Sequence, residues 1–133
     1  MIAFLRIEEQ IRSIFATFIE EHQFQLNITD YEIEMTNDVC RILISSERYY
    51  PELGMKLINL RKEEKNVYEI NKIMQLYTDH KYSASFKSHK DSDDDARITV
   101  LNGFLKWLNL YCRDMAAGNF EKLDRAGYWR LLP

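Results

Sequence analysis

Chain-breaking residues are scarce. Among 133 residues there are only 4 Gly and 2 Pro, which excludes collagen-like, low-complexity and turn-dense small β folds. With so few glycines there is no G-x-x-x-x-G-K-[ST] loop, no G-x-G-x-x-G turn and no G-x-S-x-G elbow. The usual phosphate cradles and the strained serine nucleophile of hydrolases are therefore excluded. A basic excess is missing too: 18 Lys+Arg stand against 21 Asp+Glu, a net charge of −3. A generic nucleic-acid-binding domain needs such an excess to neutralise phosphates. No stretch approaches the roughly 20 apolar residues that would span a bilayer. The N-terminus, Met1-Ile2-Ala3-Phe4-Leu5-Arg6, carries no basic leader before Glu8 and Glu9. The expectation is a soluble, cytoplasmic protein with no membrane partner. Cysteine is limited to Cys40 and Cys112. Each sits in an apolar pattern and reads as a small buried hydrophobe, although parity permits one disulfide.

What is present is ordinary globular material. Hydrophobic residues make up 46 %, charged residues 29 % and aromatics 13 %, the last including 8 Tyr and 7 Phe. This length suits a single domain, 1–133, that buries enough surface to fold without metal or disulfide. Charge is unevenly spread. Residues 1–50 hold 4 basic and 9 acidic side chains, residues 51–90 hold 8 and 5, and residues 91–133 hold 6 and 7.

Periodicity orders the elements. Ile7, Ile11, Ile14, Phe15 and Phe18 recur at helical spacing and predict an amphipathic helix over 3–22, with His22 placed to ease its dipole. From residue 24 the period changes to two. Residues 24–28 and 31–35 are either two strands or one bent strand. Residues 36–38 read as a turn, 39–46 as a strand with Cys40, Ile42 and Ile44 on one face, and 53–60 as a further strand. Short links favour an antiparallel meander. Ile70, Ile73, Met74 and Tyr77 predict a helix over 67–78, and the polar stretch 79–91 reads as a long loop. The clearest helix runs over 92–115, with Ser92 and Asp95 at capping-box spacing and Ile98, Leu101, Leu105, Leu108, Cys112 and Met115 on its stripe. Gly118 suits a C-cap, and 119–126 a short final helix. The fold class is therefore α+β: an N-terminal helix, an antiparallel β-meander of three to four strands, then two to three helices packed on one face of the sheet.

Few groups offer chemistry. The run Asp91-Ser92-Asp93-Asp94-Asp95 starts like a calcium loop, but Ala96 and Asn102 stand where the required Gly and Glu would be. Its simpler role is negative charge at a helix N-terminus. His22, His80 and His89 form no H-x-x-x-H pair and no Cys/His set at zinc spacing. No catalytic, cofactor-binding or metal residues are assigned. The sheet offers more. Glu32 and Glu34 share a strand face, Arg41 and Leu43 are placed to line it from the neighbour, and Lys56 from the next strand. Arg48-Tyr49-Tyr50-Pro51-Glu52 follows a strand end, and Tyr and Arg are favoured interface anchors. The competing reading has Tyr49 and Tyr50 capping the core while the charges form cross-strand pairs.

This order of elements covers most of the chain. A leading helix, strands over 31–35 and 39–46, the segment Arg48-Tyr49-Tyr50-Pro51-Glu52-Leu53 and then helices resembles several small bacterial families of unknown function. Among these are immunity proteins of polymorphic-toxin and contact-dependent inhibition systems. The resemblance implies a non-enzymatic inhibitor that occupies one cognate toxin. The expected function is thus a protein-binding module, monomeric or homodimeric, with Glu32, Glu34, Arg41, Arg48, Tyr49, Tyr50 and Glu52 as partner-binding residues. Two alternatives stand beside it. One is a small enzyme or ligand-binding domain using His80, His89 and residues 91–95. The other is a homodimeric structural or regulatory subunit joined through the tail Tyr128-Trp129-Arg130-Leu131-Leu132.

Overall fold

The structure is a computed structural model that describes residues 4–46, 53–61, 66–70, 73, 94–126 and 130–131. A short 3-10 turn, Phe4–Ile7, leads into helix α1, Glu8–His22. Strands β1, Gln25–Ile28, β2, Glu32–Thr36, β3, Cys40–Ser46, β4, Leu53–Asn59, and β5, Asn66–Glu69, follow. Helices α2, Asp94–Tyr111, α3, Arg113–Ala116, and α4, Glu121–Ala126, precede a two-residue strand β6, Arg130–Leu131. All six strands form one antiparallel sheet whose spatial order is the chain order. The α+β expectation holds, and the meander carries more strands than the three to four read from the sequence.

Each strand contributes alternate residues to the core, as a half-buried sheet requires. The register aligns Leu26, Met35, Ile42, Leu57 and Tyr68 in one inward row and Ile28, Ile33, Ile44 and Met55 in the next. Residues 24–28 and 31–35 are two strands. Thr29 closes their turn, its hydroxyl accepting the amides of Tyr31 and Glu32 at 3.3 and 3.1 Å. On β3 the inward set is Cys40, Ile42 and Ile44, all fully buried. Helix α1 lays Ile11, Phe15 and Phe18 on this layer as its 3.6-residue spacing predicts. Burying side chains of this size contributes about 1.5–3 kcal/mol each.

Three local expectations are corrected. The helix expected over 67–78 does not begin at 67. Val67 and Tyr68 pair with Ile58 and Leu57 as part of β5, and helical backbone appears at Ile70 and Ile73. A β-branched and an aromatic residue beside an open strand edge gain more from the ladder than from a helix. The helix expected over 92–115 is interrupted. α2 ends at Tyr111, and Cys112 (φ −116°, ψ 11°) separates it from α3. The expected stripe is buried at Leu101, Phe104, Leu108, Cys112 and Met115, but it is rotated toward Arg97, Val100 and Trp107, which are buried while Ile98 and Leu105 are only partly so.

Among the described residues Arg97 is the one fully buried charged side chain, 1 % exposed, with Nη1 3.6 Å from Oδ1 of Asp94 one turn earlier. Asp94 also accepts from Arg6 at 2.8 Å, tying the 3-10 turn to the start of α2. At the far end of the sheet, Tyr68 stacks on Phe120 at 4.8 Å and its hydroxyl donates to Asp124, joining β5 to α4. Among the described residues no helix is long and apolar enough to cross a membrane.

Candidate protein-binding face

The residues of β2–β5 that point away from the main core make a second surface. The register aligns Asn27, Glu34, Leu43, Lys56 and Glu69 across five strands, and Gln25, Thr36, Arg41, Ile58 and Val67 in the adjacent row. Glu32 faces Ser45 and Gly54 in a third row. The expected grouping of Glu32, Glu34, Arg41, Leu43 and Lys56 on one face is therefore present in the ladder itself. Arg48, Tyr49, Tyr50 and Glu52 lie outside the described residues. So do His80, His89, Asp91, Asp93 and Trp129.

This face is not uniform. Ile58 and Val67 are 2 % and 4 % exposed although they point away from the helices, and neither belongs to the main core cluster. The β4–β5 end is thus closed at that row. The β1–β3 end is open: Gln25 and Asn27 are exposed, and Glu32, Glu34, Thr36, Arg41, Leu43 and Ser45 are half-buried. Tyr31, at the corner before β2, is 62 % exposed.

The charges here do not pair with one another. Among the described residues, Glu32, Glu34, Arg41 and Lys56 enter no ion pair, whereas the pairs Arg6–Asp94, Arg12–Glu8, Arg113–Glu21 and Arg125–Glu121 form elsewhere. The register explains part of this. Glu34 and Lys56 are in the same row but two strands apart, about 10 Å at the usual strand spacing, with Leu43 between them. Glu34 takes a hydrogen bond only from the Thr36 hydroxyl at 3.2 Å. The Nε of Arg41 is buried with no hydrogen-bond partner. Cross-strand charge pairing, the alternative reading of these residues, is absent here.

Other sequence candidates have structural places. Asp94 and Asp95 stand in the first turn of α2, where the helix dipole favours them. No group of three or more His, Cys, Asp or Glu suited to a metal occurs among the described residues. Cys40 and Cys112 are buried free thiols. Burial pushes the Cys40 thiol up to about 12 and raises that of Cys112 further, with Cys40 nearby adding to it.

Sequence reading missed Asn37 beyond its turn. Its Oδ1 accepts the amides of Val39 and Cys40 at 3.0 and 2.8 Å, an Asx turn legible from composition. Its Nδ2 donates to the carbonyls of His22 and Ala116 at 2.9 and 3.0 Å, which no local pattern signals. His22 is a correction. Burial first, and then Arg113, lower its pKa below the usual 6.5 against a smaller raising effect of Glu21, so the imidazole is neutral rather than a cation answering the helix dipole.

Comparison of the chain with protein-family models, with curated proteins and with solved structures finds no match.

Proposed function

We propose that the chain is a non-catalytic protein-binding module that receives its partner on the open β1–β3 end of the sheet. It would act as an immunity protein acts, by covering the functional surface of one cognate protein such as a toxin. One observation carries the reading: Glu32, Glu34, Arg41 and Lys56 share a face, and among the described residues none enters an ion pair. Charges set about one strand apart normally find cross-strand partners. Charges left unpaired cost little while hydrated and become specific when a complementary surface meets them. They then set register and speed association more than they add affinity. Leu43 between them and Tyr31 at the corner supply apolar contact area.

The test uses the intact chain as bait for a partner from its native source, or for the product of a neighbouring gene. The Kd of the identified pair is then measured for wild type, Glu32→Lys/Glu34→Lys and Arg41→Glu/Lys56→Glu. A loss of tenfold or more in both variants, with an on-rate that falls as salt rises, supports the proposal. A partner whose Kd is indifferent to both charge reversals overturns it.

A further inference from the structure

A separate cleft lies where β4 ends. It is open, has a volume of about 700 Å³ and is lined by Asn59 at the end of that strand, Arg61 just beyond it, Gly118 and Asn119 after α3, and α4. That size falls in the range of small-ligand sites. None of these residues belongs to the open β1–β3 face, so the two sites are independent. The chain turns sharply here. Oδ1 of Asn59 accepts the amide of Arg61 at 3.0 Å, an Asx turn, and the amide of Leu60 donates to the carbonyl of Val39 at 3.0 Å. The stem of Arg61 then passes over Gly118, where an added Cβ would stand 2.9 Å from its Cδ.

The groups left over in the cleft are donors. Asn59 is 4 % exposed. A main-chain N–H can be accepted only by the amide oxygen, so the bond to Arg61 fixes which way the side-chain amide faces. Its Nδ2 makes no hydrogen bond among the described residues and is open to the cleft. An amide donor so nearly buried is costly to leave without a partner. The guanidinium of Arg61, on an exposed residue, enters no ion pair among the described residues. Asn119 turns its Oδ1 to the amide of Glu121 at 3.1 Å, which leaves its Nδ2 on the rim. The carboxylates beside these donors are already engaged. Glu121 pairs with Arg125, and Asp124 accepts from the hydroxyl of Tyr68.

We infer that this cleft binds a carboxylate group, which accepts from Nδ2 of Asn59 and from the guanidinium of Arg61. The planar fork of a guanidinium matches the two oxygens of a carboxylate. The lining also sets the charge of the ligand. Arg61 and Arg125 balance Glu121 and Asp124, so one negative charge is tolerated, whereas a phosphate dianion is repelled by both carboxylates. The bound group can belong to a free organic acid or to an Asp or Glu side chain of a polypeptide; the chemistry recognised is the same.

The experiment follows the side-chain amide of Asn59 and the Nε–H of Arg61 by NMR at pH 7 and constant ionic strength. The full chain is titrated with butyrate, Nα-acetyl-glutamate N-methylamide and inorganic phosphate. Butyramide, the uncharged counterpart of butyrate, is the control. Saturable shifts at both groups with the two carboxylates, weaker tenfold or more with phosphate and absent with butyramide, support the inference. Tighter binding of butyrate than of the glutamate derivative assigns a free acid, and the reverse order assigns an acidic side chain. Arg61→Gln alters an exposed side chain and is expected to weaken butyrate binding tenfold or more with little change in melting temperature. Asn59→Asp keeps the oxygen that closes the turn and puts a repelling charge in place of the donor. The same loss is expected there, read at Arg61. Linear shifts without saturation, equal binding of butyramide or phosphate, or unchanged binding in Arg61→Gln would overturn it.

Discussion

The side-chain amide of Asn37 bonds the main-chain oxygen of Ala116, 79 residues further along the chain, while also holding the carbonyl of His22. One turn residue thereby joins the β2–β3 hairpin to the ends of α1 and α3.

Asn37→Ala removes all four side-chain hydrogen bonds at once. At about 0.5–1.5 kcal/mol for each bond made in a partly buried setting, the expected loss is about 2–6 kcal/mol. Asn37→Asp keeps the Asx turn and points a carboxylate oxygen at two carbonyls, so it should destabilise at least as much at pH 7. Urea unfolding of both variants checks the pair, and an Asp variant as stable as wild type would contradict this role.

Gly118 follows α3 at φ +92°, where an added Cβ would stand 2.9 Å from Cδ of Arg61 and 2.9 Å from Cβ of Val39. Left-handed backbone and close approach coincide. Gly118→Ala should destabilise by about 1–3 kcal/mol. Gly118→Ala with Arg61→Ala relieves only the flexible contact, so it should recover part of the loss and not all of it. Denaturation midpoints of the single and double variants measure this.

Much of this architecture can be read from residue order, and the reason lies in periodicity. The stripe of Ile11, Phe15 and Phe18, the alternation through Ile33 and Met35, and the β-rich run around Ile42 and Ile44 are local signals that burial then obeys. The end of the long helix was not legible. Cys112 breaks it with neither Gly nor Pro at hand, and only the surrounding packing selects that geometry. The strand at Asn66–Glu69 was hidden because four residues satisfy helical and extended patterns alike, and pairing with β4 decides between them. Of the site, the shared face of Glu32, Glu34 and Arg41 follows from strict alternation. The buried face of β3 did not, since Leu43 and Val39 make both sides partly apolar. The convergence on His22 and Asn37 joins three segments distant in sequence, and no window of one chain contains it.

His22 makes stability depend on pH. Its folded pKa lies below the unfolded value of 6.5, so the folded state binds fewer protons. Its contribution is complete above 6.5 and is lost as pH falls through the lowered folded value. The urea midpoint should therefore drop on acidification from pH 7 to pH 5 more steeply in wild type than in His22→Phe. Parallel slopes would refute this.

The thiols should be silent in the native protein. With Cys40 held at about 12 and Cys112 buried beside it, almost no thiolate exists at pH 8. Reaction with a thiol-specific disulfide reagent should count zero cysteines in buffer and 2 in denaturant, the full number in the chain. Prompt native labelling of either residue would contradict their burial.

The outer face should divide into two energetic regions. Glu34→Gln and Lys56→Gln break no ion pair and should each change stability by less than about 0.5 kcal/mol. Ile58→Ala, at 2 % exposure on the same side of the sheet, should cost about 2–5 kcal/mol. Equal effects at the three positions would show that the register described for this face is wrong.

The strand lengths carry one more consequence. The longest strands, β3 and β4 with 7 residues each, are interior to the sheet, while its two margins are formed by β1 with 4 residues and β6 with 2. A margin that short offers a stray extended chain few main-chain groups to zip onto. Among the described residues the β1 margin is thus a poor template for edge-to-edge pairing, because it ends almost as soon as it begins.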